Sequence, residues 1–384
     1  MSNNVFLTLC MSLLLLISIC ACDTRDSNLD IEATELEPKA QDDAEPTPVQ
    51  KVVDPSYATY TNYMLSAYDH QTAIISPESI KSAFYMYSTL VSDDDRKEIQ
   101  SFIGDKDFLS YQSTDALKIV NRIWYNTNMN FDFSEASDAK IANIIYGIDM
   151  SDPGATAVKD EFVNDNTNGL ISKTPTKYTS ETVIDAMNII YFKDSWLKEK
   201  ELLSYPLSFT NYEGEVEDLT AFSNKGWGVM ESDTATACTM TYDHGYKFTV
   251  VLPTEGHTVD DIRIDEFIKR VIPEHEVAYY LEIPEFETES NYSFNLDTFN
   301  LKNSKMLPEI YDDSDYTTHV QHTVKIKFDH EGTEAAAVTS MFAVASAAAM
   351  EPEEIVELIC DKPFIYYITD TTNNDIAFIG LYNG

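Results

Sequence analysis

The sequence predicts an α+β protein, and three observations predict it. Thr182–Trp196 is a near-continuous apolar stretch of strand length, the pattern of a strand buried on both faces in the middle of a sheet. His322-Thr-Val-Lys-Ile-Lys-Phe328 alternates apolar and polar residues, the pattern of a strand with one buried face. Tyr57–Tyr68 and Ala157–Asn164 instead space their apolar residues at the helical period.

The 384 residues suffice for one large domain or two ordinary ones, and 43% hydrophobic residues can fill a sizeable core. Charge is lopsided, with 26 basic against 65 acidic residues and a net charge of −39. Such a polyanion argues against nucleic acid or an anionic lipid surface as the main partner. Val5–Ile19 is an apolar run of signal-peptide size, too short to span a bilayer comfortably. It ends in Ile19-Cys-Ala-Cys22, which resembles a bacterial lipobox, although Met1-Ser-Asn-Asn4 lacks the usual basic residue. The expectation is a lipoprotein signal peptide over 1–21, with Cys22 lipidated and the mature chain exported; ordinary secretion is the alternative. Residues 22–54 read as an acidic, disordered tether: ten Asp or Glu, three prolines and no apolar periodicity do not offset the entropy of ordering. Of five cysteines, Cys10 and Cys20 leave with the leader, and Cys238 and Cys360 are expected as buried free thiols.

The folded body is expected over 55–384. Ala73-Ile-Ile-Ser-Pro-Glu-Ser-Ile80 reads as a short strand ended by Pro77, which caps a following helix through Leu90. Ala116–Tyr125 reads as a buried strand, and Lys247–Pro253 as another core strand. Asn164, Asn166, Asn168 and Gly169 fall near calcium-loop spacing, but position one lacks a carboxylate and position twelve is Pro175, so no calcium loop is expected. No nucleophile elbow, zinc helix or phosphate loop is present; His330-Glu-Gly-Thr-Glu334 lacks the second histidine of a zinc motif. Neither an enzyme nor a metal or other cofactor is indicated.

Glu331–Met350 is a long run of small residues opened by Gly332 and closed before Pro352. Alanine content favours a surface helix. With period two, however, Thr333, Ala335, Ala337, Thr339, Met341 and Ala343 share one small, uncharged face that could enter a packed sheet.

Family resemblance decides between these readings. Gly332-Thr-Glu-Ala-Ala-Ala337 resembles the hinge of the serpin reactive loop, and Lys362–Ile368 with Ile376–Gly380 resembles the serpin carboxy-terminal strands. Ser76-Pro-Glu-Ser-Ile80 resembles the Ser-Pro-x-Ser-Ile element, and Asn188-Ile-Ile-Tyr-Phe-Lys193 followed by Trp196 resembles the central strand. Ala157–Asn164 with Asn166–Ile171 is similar to the helix that crosses sheet A and its exit. Ala278–Phe286, then Tyr292–Leu296, resembles the strand and helix before the hinge strand. The stretches near 91–115 and 224–240, read as loops, match poorly.

The resemblance implies a serpin fold: a large central mixed sheet, two smaller sheets, surrounding helices and a long exposed reactive loop over about 331–358. It also implies a monomeric suicide inhibitor of serine, and sometimes cysteine, proteases. The protease cleaves the loop and forms an acyl-enzyme, and the severed loop then inserts into the central sheet before water can release it. About a dozen new hydrogen bonds at ~0.5–1.5 kcal/mol each would release on the order of 10 kcal/mol. The entering face must be uncharged, a demand that Thr333, Ala335 and Ala337 meet, with Glu334 and Ala336 on the opposite face. Carried over by position, Ser76, Ser79, Asn188 and His322 form the cluster gating sheet opening, and Trp196 marks where insertion begins. The family's usual acid–base pair is inverted here into Glu285 and His330, expected to strengthen as the imidazole protonates and so to hinder insertion in mild acid.

The spacing that the resemblance implies from Gly332 places the scissile bond at Ser346–Ala347; counting back from Lys362-Pro363 points nearer Met350 or Pro352, so the loop is a few residues longer than usual. Small residues there suit elastase-like or subtilisin-like targets, while Met350 leaves a chymotrypsin-like one open. The competing class is a non-inhibitory surface lipoprotein using this fold as a binding module or protease bait.

Overall fold

The computed structural model describes residues 57–104, 106, 108, 113–131, 139–268, 277–295, 319–333 and 355–384. The expected leader and tether with Cys22, and the loop from Glu334 through Ala335, Ala336, Ala337, Ser346 and Ala347 to Met350, lie outside the described residues.

The largest continuous ladder is a six-stranded antiparallel sheet. Its order is Ala73–Ile75, Ile376–Tyr382, Phe364–Asp370, Tyr246–Pro253, Ala235–Thr241 and Val229–Glu231. Every residue of Ile376–Tyr382 is buried, as befits an uninterrupted apolar strand. A four-stranded sheet contains Ile355–Ile359, Ala278–Pro284, Ala221–Trp227 and Glu201–Leu202.

The central mixed layer is built in two parts. In one, Leu117–Asn126 pairs parallel to Ile145–Ile148 and antiparallel to Ile184–Phe192. In the other, Phe286–Asn295 pairs with His319–Asp329, which pairs with Gly332–Thr333, which pairs with Asp194–Ser195. The chain passes from Ile184–Phe192 to Asp194–Ser195 with only Lys193 between them, so the parts join at one end. Below that junction, no ladder pairs Ile184–Phe192 with His319–Asp329 among the described residues. A seam therefore runs down the layer, with a cavity of about 30 Å³ bordered by Asp185, Met187, Gln321 and Thr323.

The helix Ala155–Asn166 lies over this seam. Its Val163 packs with Ile171 and Ile189, with Phe162 against the same cluster. Lys159 is wholly buried and donates to the Thr176 carbonyl (2.7 Å) and hydroxyl (3.1 Å). Burial pushes its ammonium below the usual lysine range. Tyr178 donates to the Asp185 carboxylate at 2.8 Å, completing a polar knot beneath the helix.

The alternating strand behaves as its pattern demands: His322, Val324, Ile326 and Phe328 point inward. Phe328 stacks on Phe248 (4.5 Å between centroids) and Phe286 (4.7 Å), tying the central layer to the six-stranded sheet. Cys238 and Cys360 are free and buried, and burial raises both thiols far out of the reactive range.

Four expectations need correction. Ile184–Phe192 is fully buried only from Ile189 onward, because the seam leaves its first half partly covered. Tyr292–Asn295 continues a strand instead of forming a helix, since ten residues of Phe286–Asn295 pair with the hinge strand. The poorly matching stretches hold the helix Asp93–Ile103 and the strands Ala221–Trp227, Val229–Glu231 and Ala235–Thr241. Ser76, not Pro77, caps the helix Pro77–Ser88: its hydroxyl accepts the Ser79 N–H, and Pro77 occupies the first turn, where no donor is needed.

Candidate functional site

At the head of the seam the chain leaves the hinge strand through a turn held by Asp329. Its carboxylate accepts the N–H groups of Glu331 (2.9 Å) and Gly332 (3.2 Å). Gly332 and Thr333 then run antiparallel to strands on both sides, opposite Asp329 and Phe328 on one and Ser195 and Asp194 on the other. No other residue fits position 332. A Cβ there would stand 2.2 Å from the Asp194 carbonyl oxygen, and the φ of +155° disfavours side-chain-bearing residues.

Thr333 is buried, and its hydroxyl hydrogen-bonds that of Tyr242 at 2.6 Å. Trp196 stacks on Tyr242 (4.2 Å, 13°) and donates its indole N–H to the Asp329 carbonyl at 2.9 Å. Trp196 thus roofs the point at which the first two residues of the small-residue run sit in the sheet. Asp194 accepts from the Ser195 N–H (2.9 Å), the His244 N–H (3.1 Å) and His244 Nδ1 (2.8 Å). Burial pushes this carboxyl upward, and the hydrogen bonds from His244 and Ser195 oppose that shift. The hydrogen bond to Asp194 correspondingly raises the half-exposed His244.

Further down the seam, Ser76, Ser79, Asn188 and His322 come together. His322 Nε2 accepts the Ser76 N–H at 3.0 Å, and the Ser79 hydroxyl donates to the Asn188 carbonyl at 3.4 Å. The Asn188 amide donates to Asn121 Oδ1 (2.8 Å) and Ser82 Oγ (3.2 Å), while its own Oδ1 is buried without a partner among the described residues. His322 also stacks on Tyr292, whose hydroxyl donates to the Ile74 carbonyl at 2.8 Å. Glu285 and His330 lie together: Nδ1 is 2.6 Å from Oε1, which also accepts the His330 N–H at 3.0 Å.

Sequence reading missed Asp194, Tyr242, His244, Ser82 and Asn121. Tyr242 and His244 reach the hinge from a turn remote in sequence, and no local pattern marks them. Ser82 lies two turns into a helix whose start was noticed. Asn121 sits in a strand whose burial, not its polar member, drew notice. No cluster of three or more metal-ligating side chains occurs among the described residues.

Burial holds His322 far below the ordinary 6.5, at about 3, because the folded site uses Nε2 as an acceptor. The unfolded chain takes up this proton near pH 6.5 and the folded chain does not. The contribution of His322 to stability is therefore complete above that pH and lost as pH falls toward 3, at up to about 1.4 kcal/mol per pH unit. We expect His322→Gln to lose about 2 kcal/mol less stability than the wild type between about pH 7 and 5, measured by urea denaturation. Parallel pH profiles would remove His322 as the titrating group.

The family model described as "Serpin (serine protease inhibitor)" matches residues 57–383. Iripin-1 of Ixodes ricinus is 25% identical over 356 residues, covering 82% of this chain and 89% of that protein. "Serine protease inhibitor 88Ea" of Drosophila melanogaster is 24% identical, covering 88% and 86% respectively. Among solved structures, the thermophilic serpin Tengpin in its native state aligns with a TM-score of 0.68 at 21% identity, over 87% of this chain and 96% of that one. The match runs from the first described helix to the last strand, and the chain belongs to the serpin family of serine protease inhibitors.

Proposed function

We propose that this chain is a suicide-type inhibitor of elastase-like or subtilisin-like serine proteases, cleaved at Ser346–Ala347. One observation carries the reading: Gly332 and Thr333 are seated as the first rung of a new strand, directly above an unpaired seam. A strand entering the seam would gain backbone partners on both sides. The small uncharged face that follows Thr333 in the sequence suits such entry, because it would bury no charge. Cleavage frees the loop to move while the protease is still its ester, and insertion would carry the protease away from its productive geometry. Cysteine proteases form the equivalent thioester and are secondary targets, and the inhibitor acts as a monomer without a cofactor.

Incubation with neutrophil-type elastase should give a denaturation-resistant complex and a released peptide beginning at Ala347, identified by electrophoresis and mass spectrometry. Thr333→Arg, which places a charge against buried Tyr242, should turn the inhibitor into a plain substrate. Clean cleavage of the wild type without complex by elastases, subtilisins and chymotrypsins would favour the non-inhibitory reading, a binding module or bait.

The Glu285–His330 contact lies two residues before Gly332 and ties the turn to the neighbouring strand. Inhibition should consequently be faster in His330→Ala than in the wild type at one fixed pH. Equal rates would dismiss the pair as a brake.

Export and anchoring rest on sequence: the apolar leader, the lipobox-like Ile19–Cys22 and the acidic tether together favour a bacterial lipoprotein held to its membrane only by lipid at Cys22. Labelled palmitate should enter the wild type and not Cys22→Ser when each is expressed in a bacterium; equal labelling would refute Cys22 as the site. Among the described residues no helix is long and apolar enough to cross a membrane.

A further inference from the structure

In a chain of net charge −39, four of the 26 basic residues border one cavity of about 330 Å³. It lies between Leu197–Lys200, the strand Ala221–Trp227 and the strand Ala235–Thr241, and Lys198, Lys200, Lys225 and Lys247 line it without a single carboxylate. Its volume falls at the lower end of the range for small-molecule sites, about 300–1,000 Å³.

Lys200 is the unusual member. It is partly buried, and its ammonium donates to Asn224 Oδ1 at 2.9 Å and lies 5.4 Å from the Trp196 ring centre. Among the described residues no carboxylate pairs with it, and only one of its three N–H donors has a protein acceptor. Burial, with Lys198 nearby, pulls it down to about 8. A partly desolvated ammonium without a carboxylate partner among the described residues is costly, and a bound anion would offset that cost.

The wall around Lys200 is fixed. The Asn224 amide donates to the Tyr279 hydroxyl (2.8 Å), which donates to the Thr239 carbonyl (2.7 Å). Gly226 leaves room for the Tyr279 ring, since a Cβ would meet its hydroxyl at 2.5 Å. The exposed Trp227 ring and Leu197 supply apolar surface beside this charge. We propose that the cavity binds a small organic anion with a flat apolar body, an aryl sulfonate or aryl carboxylate. The acidic group pairs with Lys200 and Lys198, and the ring lies against Trp227.

Calorimetric titration of the full chain with naphthalenesulfonate tests this. One-to-one binding is expected, weakened about tenfold or more in Lys200→Gln and measurably in Lys198→Gln. Lys198 is exposed, so its variant keeps the test valid should Lys200→Gln misfold. Uncharged naphthylmethanol should bind at least about tenfold more weakly. Equal affinity for the alcohol, unchanged affinity in the folded lysine variants, or binding of dextran sulfate with none of naphthalenesulfonate would each overturn the proposal.

Discussion

The whole arrangement depends on one close approach: the Gly332 backbone lies against the Asp194 carbonyl, nearer than any side-chain-bearing residue permits. That contact lets a third strand begin between two others, and its neighbours are arranged to hold it. Asp329 fixes the turn on one side and Trp196 covers it from above. Tyr242 takes the buried Thr333 hydroxyl, which would otherwise lack a partner away from water. His244 hydrogen-bonds the buried Asp194 carboxyl on the other side. The polar groups named at this junction are paired; below it, along the seam, no ladder joins the two backbone edges among the described residues.

The seam itself is bordered by groups with opposite tendencies. Ser76, Ser79 and His322 fasten the helix Pro77–Ser88 to strands on both its sides, which keeps the two parts of the layer together. Among the described residues the buried Asn188 Oδ1 has no donor, a local cost that such a position would shed if a new N–H arrived. Over the gap, Lys159 anchors the crossing helix through the Thr176 carbonyl and hydroxyl. The structure therefore combines a closed, well-paired entrance with an incompletely satisfied path beneath it.

Much of this was legible in the sequence because the signals were local. Apolar runs and clean alternation revealed the strands around Ile190, Val250 and Val324, whereas the small-residue run read alone favoured a helix, and only the family resemblance pointed to a hinge at Gly332. The inversion of Glu285 and His330 was also readable, since each sits at a fixed offset from a recognisable element. What escaped depended on partners distant in the chain. Phe286–Asn295 carries Glu287, Glu289 and Asn291, poor strand formers, and is held extended by its ladder to His319–Asp329 and by Lys325 bridging both glutamates. Tyr242 and His244 likewise matter only because the fold delivers their turn to the hinge. The lysine-lined cavity is invisible to composition, which reports only an acidic protein.

The fully buried strand Ile376–Tyr382 lies between Phe364–Asp370 and Ala73–Ile75, pairing Ile379 with Ile75 across about 300 residues of chain. During synthesis the early strand leaves the ribosome long before its partner exists. The largest sheet of the body can close only when nearly all of that body has been made. Until then the growing chain carries unmatched apolar edges, and its survival depends on what keeps those edges from meeting another copy.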